Sequence, residues 1–338
     1  MLKRILKLAM VSLCLFLITG IPLLAEGQKD GADEKPITLK LGHVAPESEP
    51  YHLAAVKFAE LVEERTDGMV KINIFPNSQL GAQRDMIEGL QMGTVDITLT
   101  TSAVLANFVP TSQVIELPFM FRSRDHVYSV VDGPLAKEIY KGAEDQGLKV
   151  ISTWENGFRN ITNNVRPVST PSDMDGIKIR VMENQMYIDM FNALGANPVP
   201  IARSELFTAL QQGTVDAQEN PMGQIYSSRF YEVQDYVTLS RHTYSPEVVV
   251  FSLKNWNKIP SEYQSIILKA AEEARDYCRK MKIEKDDEFI EGVKKEGMQV
   301  TELTPEQVSM FQDKMKPVWT KYYKVIGEDL IQKVYNYR

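Results

Sequence analysis

The chain has 338 residues, 43% of them apolar and 25% charged, with a formal net charge of −7. That length holds two domains with cores of their own, and the composition is that of a globular protein rather than a disordered one. The acidic balance argues against nucleic acid and anionic lipid as partners. Lys3, Arg4 and Lys7 precede an apolar run over 8–18 and a Leu23-Leu24-Ala25 end. This is the pattern of a secretory signal peptide over residues 1–25, for export to the periplasm. An uncleaved anchor is the other reading, but the apolar core is short against the roughly 20 residues a spanning helix needs. Cleavage removes three cations and no acid, taking the net charge from −7 to −10, and leaves Cys278 as the only cysteine. No intramolecular disulfide can then form. Residues 26–36, polar and rich in Gly and Asp, read as a disordered leader.

Ile37, Leu39 and Leu41 alternate with polar residues and predict a strand ending at Gly42-His43. Leu53, Val56, Ala59, Leu61 and Val62 mark a helical face closed by Asp67-Gly68, and Val70, Ile72 and Ile74 a second strand. A helix over 81–92, a strand over 95–99, a helix over 123–146 and a strand over 148–154 follow. Beyond Asn156-Gly157 the pattern gives a strand around Ile161 and a short helix with Thr170 as N-cap and Pro171 at N1. Next come a strand over 177–182, a helix ending at Leu194-Gly195, a helix capped by Ser204, and strands over 237–239 and 248–253. Helices alternating with strands argue for an α/β protein with a mostly parallel sheet. Residues 261–295 keep a helical pattern that would span about 50 Å as one helix. Two helices broken near Asp286 are the alternative; a single helix crossing both lobes is the expectation.

One phrase occurs twice, as Leu90-Gln91-Met92-Gly93-Thr94-Val95-Asp96 and Leu210-Gln211-Gln212-Gly213-Thr214-Val215-Asp216. Each copy ends an amphipathic run on a glycine and enters a β-prone stretch, as a helix with a C′ glycine feeding a strand would. Two copies so far apart suggest two α/β lobes of similar local build, with a cleft between them.

Catalytic signatures are missing. The chain has no Gly-x-Ser-x-Gly elbow, Walker loop, His-Glu-x-x-His helix or Cys-x-x-Cys pair. His43, His52, His126 and His242 lack metal-like spacing, so no catalytic residue, metal or cofactor is expected. The unusual residues are arginines. Arg180 ends the β-rich run from Gly176, at the carboxyl end of a strand, where open α/β sheets bind ligands. A guanidinium there needs an anionic partner, and its planar fork matches a carboxylate. Arg159 lies where the chain passes between lobes. Pairing of both with internal acids such as Glu155, Glu183 or Glu219 is the alternative. After the two repeats, Thr100-Thr101-Ser102 and Glu219-Asn220-Pro221 place polar groups where strands leave the sheet; ordinary turn chemistry would use the same residues.

Taken in order, several segments resemble the solute-binding subunits of tripartite ATP-independent periplasmic (TRAP) transporters. They are Asn77-Ser78-Gln79-Leu80-Gly81, Leu117-Pro118-Phe119-Met120-Phe121, Asn156-Gly157-Phe158-Arg159 with Thr162-Asn163, 176–181, Leu194-Gly195-Ala196-Asn197-Pro198 and 213–221. The resemblance covers nearly the whole mature chain. It implies a two-lobed α/β periplasmic-binding-protein fold with a hinge and a long helix crossing both lobes. Lobe I would hold 37–157 plus 246–285, and lobe II 158–245 plus 286–338. It further implies a non-enzymatic, monomeric receptor that spans no membrane once cleaved. Such a receptor would bind a small organic acid, a uronate or aldonate first and a C4-dicarboxylate or other 2-hydroxy or 2-keto acid second, and deliver it to membrane permease subunits; an exported enzyme acting on an acidic sugar is the competing class.

On this pattern Arg180 matches the arginine that clamps the ligand carboxylate, Arg159 a second cationic contact, and Asn220 a polar contact from the opposite strand. His242 matches a position that faces the pocket in some relatives. Arg203 stands where many relatives carry an aromatic residue, and either swings out to solvent or adds a cation to the pocket. Gln83 and Thr101 stand where other relatives carry acidic residues, which disfavours ligands with an amine. The expected ligand-binding set is completed by Glu219 and His43.

Overall fold

The computed structural model describes residues 35–338. The expected signal peptide and the leader up to residue 34 lie outside the described residues. Ten strands form the frame: β1 Ile37–Gly42, β2 Val70–Phe75, β3 Ile97–Thr101, β4 Leu148–Asn163, β5 Lys178–Val181, β6 Asn197–Pro200, β7 Ala217–Pro221, β8 Tyr236–Leu239, β9 Tyr244–Ser252 and β10 Gln299–Glu302. Their order is β2-β1-β3-β9-β4-β7-β5-β6, with β8 on β4 and β10 on β8.

The sheet is mixed rather than mostly parallel. β1 pairs parallel with β2 and β3, and β5 parallel with β6 and β7. Between these two parallel groups lie β9 and β4, antiparallel to each other and to their outer neighbours. Alternating helices and strands set each parallel group correctly; the two strands that join the groups come from pairings distant in sequence, which local pattern does not encode.

The repeated phrase closes each parallel group in the same way. Gly93 ends the helix Gln83–Met92 in the left-handed region at φ 80°, and Gly213 follows the helix Leu206–Gln211 at φ 65°. The phrase's last residue then reaches across to the neighbouring parallel strand. Asp96 accepts a hydrogen bond from the Lys40 amide on β1 (2.8 Å), and Asp216 one from the Lys178 amide on β5 (3.1 Å).

β4 is one continuous strand where two were expected. Its first half pairs with β9, and Arg159–Asn163 pairs with β7. The register slips between Trp154 and Gly157, and Gly157 takes φ 130°, a conformation closed to most side chains. The helix expected over 123–146 is broken into Arg124–Val131, Ala136–Ile139 and a 3₁₀ turn Glu144–Gln146, because Gly133 and Pro134 cannot continue it. Ser204 caps no helix; it sits inside a 3₁₀ turn, Arg203–Glu205, that leads into Leu206–Gln211 without a side-chain cap.

The helix Ser261–Lys295 is a single element of 35 residues. Its first half (Ile267, Ala270, Ala274, Cys278) packs in one core with Leu41, Phe58, Leu99 and Trp154. Its second half (Phe289, Val293) packs in another with Leu206, Met222 and Phe230. One helix thus crosses both lobes of a two-lobed α/β fold. A further core joins Val114, Ile115 and Val127 to Met186, Phe191, Phe311 and Trp319, so the C-terminal helices Pro305–Met315 and Val318–Ile326 tie residues 114–127 to the β5 side.

Candidate functional site

A small cavity opens at the carboxyl ends of β3, β5 and β7. Six of the nine expected ligand residues line it: Gln83, Thr101, Arg159, Arg180, Arg203 and Asn220. Two larger hollows, around Asp132 and Tyr140 and around Phe119 and Arg241, hold none of the nine.

Arg180 is carried by β5, where Ile179 and Val181 are buried beside it, and is itself only 2% exposed. Its Nε donates to the Ile201 carbonyl at 2.8 Å, while Nη1 is buried with no partner. No carboxylate forms an ion pair with it among the described residues. Burial lowers its pKa from the ordinary arginine value, opposed by Glu219 and reinforced by Arg159 and Arg203. Burying a charge without a counter-ion is costly, so an anion from outside would be stabilised beside it.

Arg159 is different. Its Nε and Nη2 both meet the Glu219 carboxylate across β4 and β7, with Nη2 to Oε1 at 2.9 Å, and Nη2 also reaches Asn220 Oδ1 at 3.1 Å. Burial works against its charge, but Glu219 more than restores it and raises the pKa above the ordinary value. The same contact holds Glu219 below the usual carboxylate range in spite of its burial. Of the two arginines, one therefore pairs with an internal acid and the other does not.

Arg203 points inward. Its Nη2 donates to Ser228 Oγ and, at 3.4 Å, to Gln224 Oε1; the guanidinium lies 5.0 Å from the Phe230 ring centroid. Nε is buried without a partner, and burial lowers the pKa. The cavity thus has two guanidinium groups with no carboxylate partner. Neutral groups complete the wall: Thr101 Oγ1 donates to Gln83 Oε1 at 3.1 Å, and Gln224 Nε2 donates to the Tyr51 hydroxyl at 3.1 Å.

Glu219, His242 and His43 do not line the cavity. Glu219 serves as the partner of Arg159. His242 lies behind it, with Nε2 3.4 Å from Glu219 Oε2 and Nδ1 2.9 Å from Ser240 Oγ. His43 has both ring nitrogens engaged, Nε2 with His52 Nδ1 at 3.0 Å and Nδ1 with the Ala45 amide at 3.3 Å. Its burial, with His52 beside it, lowers its pKa to about 3, so it is a neutral packing residue.

Sequence reasoning passed over Asn156, Gln224 and Glu247, which also line the cavity. The signal for Glu247 was present: it opens an otherwise apolar run, Val248-Val249-Val250-Phe251, on a strand whose every residue is buried. Asn156 Nδ2 donates to Glu247 Oε1 at 3.2 Å. Burial pushes the Glu247 carboxyl up to about 8, with Glu49 adding to the rise and Lys282 opposing it.

Residues 41–325 match the bacterial extracellular solute-binding protein family 7. The chain is 37% identical over 263 residues to the 2,3-diketo-L-gulonate-binding periplasmic protein of Escherichia coli K12, covering 78% of this chain and 80% of that one. Two similar crystal structures are TRAP periplasmic solute-binding proteins. One, from Polaromonas sp. JS666 with bound D-erythronate, is 37% identical with a TM-score of 0.86, covering 89% of this chain and 98% of that chain. The other, from Sulfurospirillum deleyianum with bound succinate, is 34% identical with a TM-score of 0.86, covering 90% and 100%. No helix among the described residues is long and apolar enough to cross a membrane. The family match over most of the chain, the two-lobed fold and the buried arginine site agree: the chain belongs to the family 7 extracellular solute-binding proteins, the receptor subunits of TRAP transporters.

Proposed function

We propose that this protein is a periplasmic receptor that captures a small sugar acid, of uronate or aldonate type, and delivers it to the membrane subunits of its transporter without chemically altering it. The observation that carries the reading is Arg180, a buried guanidinium with an unpartnered Nη1 facing a cavity rich in neutral hydrogen-bonding groups. A carboxylate would take the fork of Arg180, and hydroxyls would take Gln83, Thr101, Asn220 and Gln224. The D-erythronate bound to the Polaromonas relative supports this class.

Capture would be a closure of lobe I (37–157 with 246–285) on lobe II (158–245 with 286–338). Bending would occur where β4, β9 and the long helix cross between them, and contacts from both sides would favour the shut state. A C4-dicarboxylate is the second reading. The observation favouring it is Arg203, which gives the cavity a second unpaired cation, and the Sulfurospirillum relative holds succinate.

Calorimetry of the purified mature protein with D-galacturonate, D-galactonate, D-erythronate and succinate tests the reading. Tighter binding of a hydroxylated monocarboxylate supports the sugar-acid assignment, and tighter binding of succinate replaces it with the dicarboxylate one. Chemical turnover of a bound sugar acid, followed by mass spectrometry, would overturn the receptor role.

A further inference from the structure

Among the described residues, nine buried side-chain polar atoms have no hydrogen-bond partner, and four of them line the same cavity. Buried polar groups in folded proteins are ordinarily satisfied, so such a concentration marks a place where a ligand supplies the missing partners. Two of the four, Arg180 Nη1 and Arg203 Nε, are cationic donors suited to a carboxylate. The other two are Glu247 Oε2 and Asn156 Oδ1. They sit together, because Asn156 Nδ2 already donates to Glu247 Oε1 at 3.2 Å. Glu247 is on β9, opposite Thr101 of β3 and Trp154 of β4, whereas Arg180 is on β5, three places along the strand order. The carboxyl–amide pair is therefore set apart in the sheet from Arg180, while Arg203 and Arg159 face Glu247 from other elements.

We propose that Glu247 and Asn156 form a hydroxyl-reading subsite that selects polyhydroxy monocarboxylates over dicarboxylates. The inference rests on the sugar-acid reading above. A ligand hydroxyl can both accept and donate. It would accept from the Glu247 acid proton on Oε2 and donate to Asn156 Oδ1, satisfying both orphaned atoms at once. A second carboxylate cannot do this, since it has no proton for Asn156 Oδ1 and adds negative charge beside a carboxyl group.

The surroundings keep Glu247 in the required form. It is 1% exposed, and its pKa is pushed up to about 8 by burial. The charged and titratable groups facing it are Lys282 on the long helix, Glu49 and Tyr51 at the start of the helix Pro50–Arg65, Arg159 on β4, Arg203 and Glu116. The cation that opposes its rise most is not free to neutralise it, since Lys282 Nζ is ion-paired with Glu49. The rise favours the protonated carboxyl at neutral pH. Above pH 8 it loses the donor and gains a charge that repels an anionic ligand.

The test is calorimetry with D-galactonate, D-erythronate and succinate on the wild-type protein, Glu247→Gln and Glu247→Leu, at pH 6.5, 7.5 and 9, with melting temperatures confirming that each variant is folded. The expected result is a loss of at least about tenfold in sugar-acid affinity for Glu247→Leu with succinate affinity unchanged or improved. Wild-type sugar-acid affinity should fall from pH 7.5 to 9, while Glu247→Gln, which keeps a donor but cannot ionise, should show a flatter pH profile. Equal loss for succinate and sugar acids, or sugar-acid affinity untouched in Glu247→Leu, removes the subsite and leaves the receptor reading standing. A folded wild-type protein that binds none of the three acids removes both.

Discussion

Glu219 holds Arg159 in a two-point grip between β4 and β7, with both side chains withdrawn from solvent. One strand further along the sheet, Arg180 has no such grip. The same residue type thus does two jobs in one pocket. Arg159 is a fixed part of the wall, and on the proposed reading Arg180 is the group left for the ligand. The two make opposite predictions on mutation.

Removing the Glu219 charge leaves Arg159 buried and uncompensated. Glu219→Gln should lower stability by about 3 kcal/mol, the lower end of the cost of breaking a buried ion pair, since glutamine retains a hydrogen-bond acceptor. Urea unfolding of the mature protein measures it. A change below about 1 kcal/mol would mean that Arg159 finds another partner and the grip is dispensable.

Arg180 should behave in reverse. Arg180→Met removes an unpaired buried cation, so the ligand-free protein should melt at the same or a higher temperature than the wild type. Arg180→Lys should weaken carboxylate binding about tenfold or more, because an ammonium cannot reproduce the bidentate fork, and one charged hydrogen bond contributes about 1.5–3 kcal/mol. Unchanged calorimetric affinity in Arg180→Lys would remove the clamp assignment.

Arg203 tests the second cation of the cavity. Arg203→Phe keeps a planar group against Phe230 while deleting the second unpaired charge. Succinate affinity should fall more than D-galactonate affinity, since only the dianion needs two cations. A ligand profile left unaltered would place Arg203 in a packing role.

Legibility in the sequence followed the range of the interactions involved. The alternation Ile37, Leu39, Leu41 sets β1 to within a residue, and the pattern over 261–295 gives the long helix as it stands, because both are local periodicities. Arg180 stood out because a charge in a β-rich run has few explanations. The insertion of β9 and β4 between two parallel groups was not readable, since it depends on pairings such as Thr101 with Glu247, far apart in the chain. Glu247 was passed over for the same reason: its partner Asn156 lies 91 residues away in the chain, and only the sheet brings the two together. Histidines offered the converse error. His43 looked available by type, but burial and two ring contacts consume it.

The buried state of His43 predicts acid lability. Its folded pKa of about 3 lies below the ordinary 6.5, so the unfolded chain takes up a proton that the folded protein refuses. The linked stability is fully present above about pH 6.5 and is lost as pH falls toward 3. His52, also lowered by burial, acts in the same direction. The melting temperature should therefore drop between pH 7 and pH 4, and the slope should be shallower in His43→Asn, which keeps an acceptor for the Ala45 amide but does not titrate. Identical slopes in the two proteins would assign the lability to other groups.

Gly292 tests how the long helix is seated on the second lobe. A glycine inside an exposed helix ordinarily costs roughly 1 kcal/mol relative to alanine, so propensity alone makes Gly292→Ala stabilising. Here a Cβ at 292 would come within 2.5 Å of Tyr226 Cε2 and 2.9 Å of its Cδ2, well inside contact distance. Tyr226 is held in turn by Phe289 and Tyr231, with ring centroids 5.7 and 5.8 Å away, so it cannot yield without disturbing that cluster. Overpacking of this kind costs about 1–3 kcal/mol and outweighs the gain in helix propensity. Gly292→Ala should lower the melting temperature, and the double variant Gly292→Ala with Tyr226→Leu should recover part of the loss. A single variant more stable than the wild type would show that the helix rides further from the lobe than the 2.5 Å approach requires.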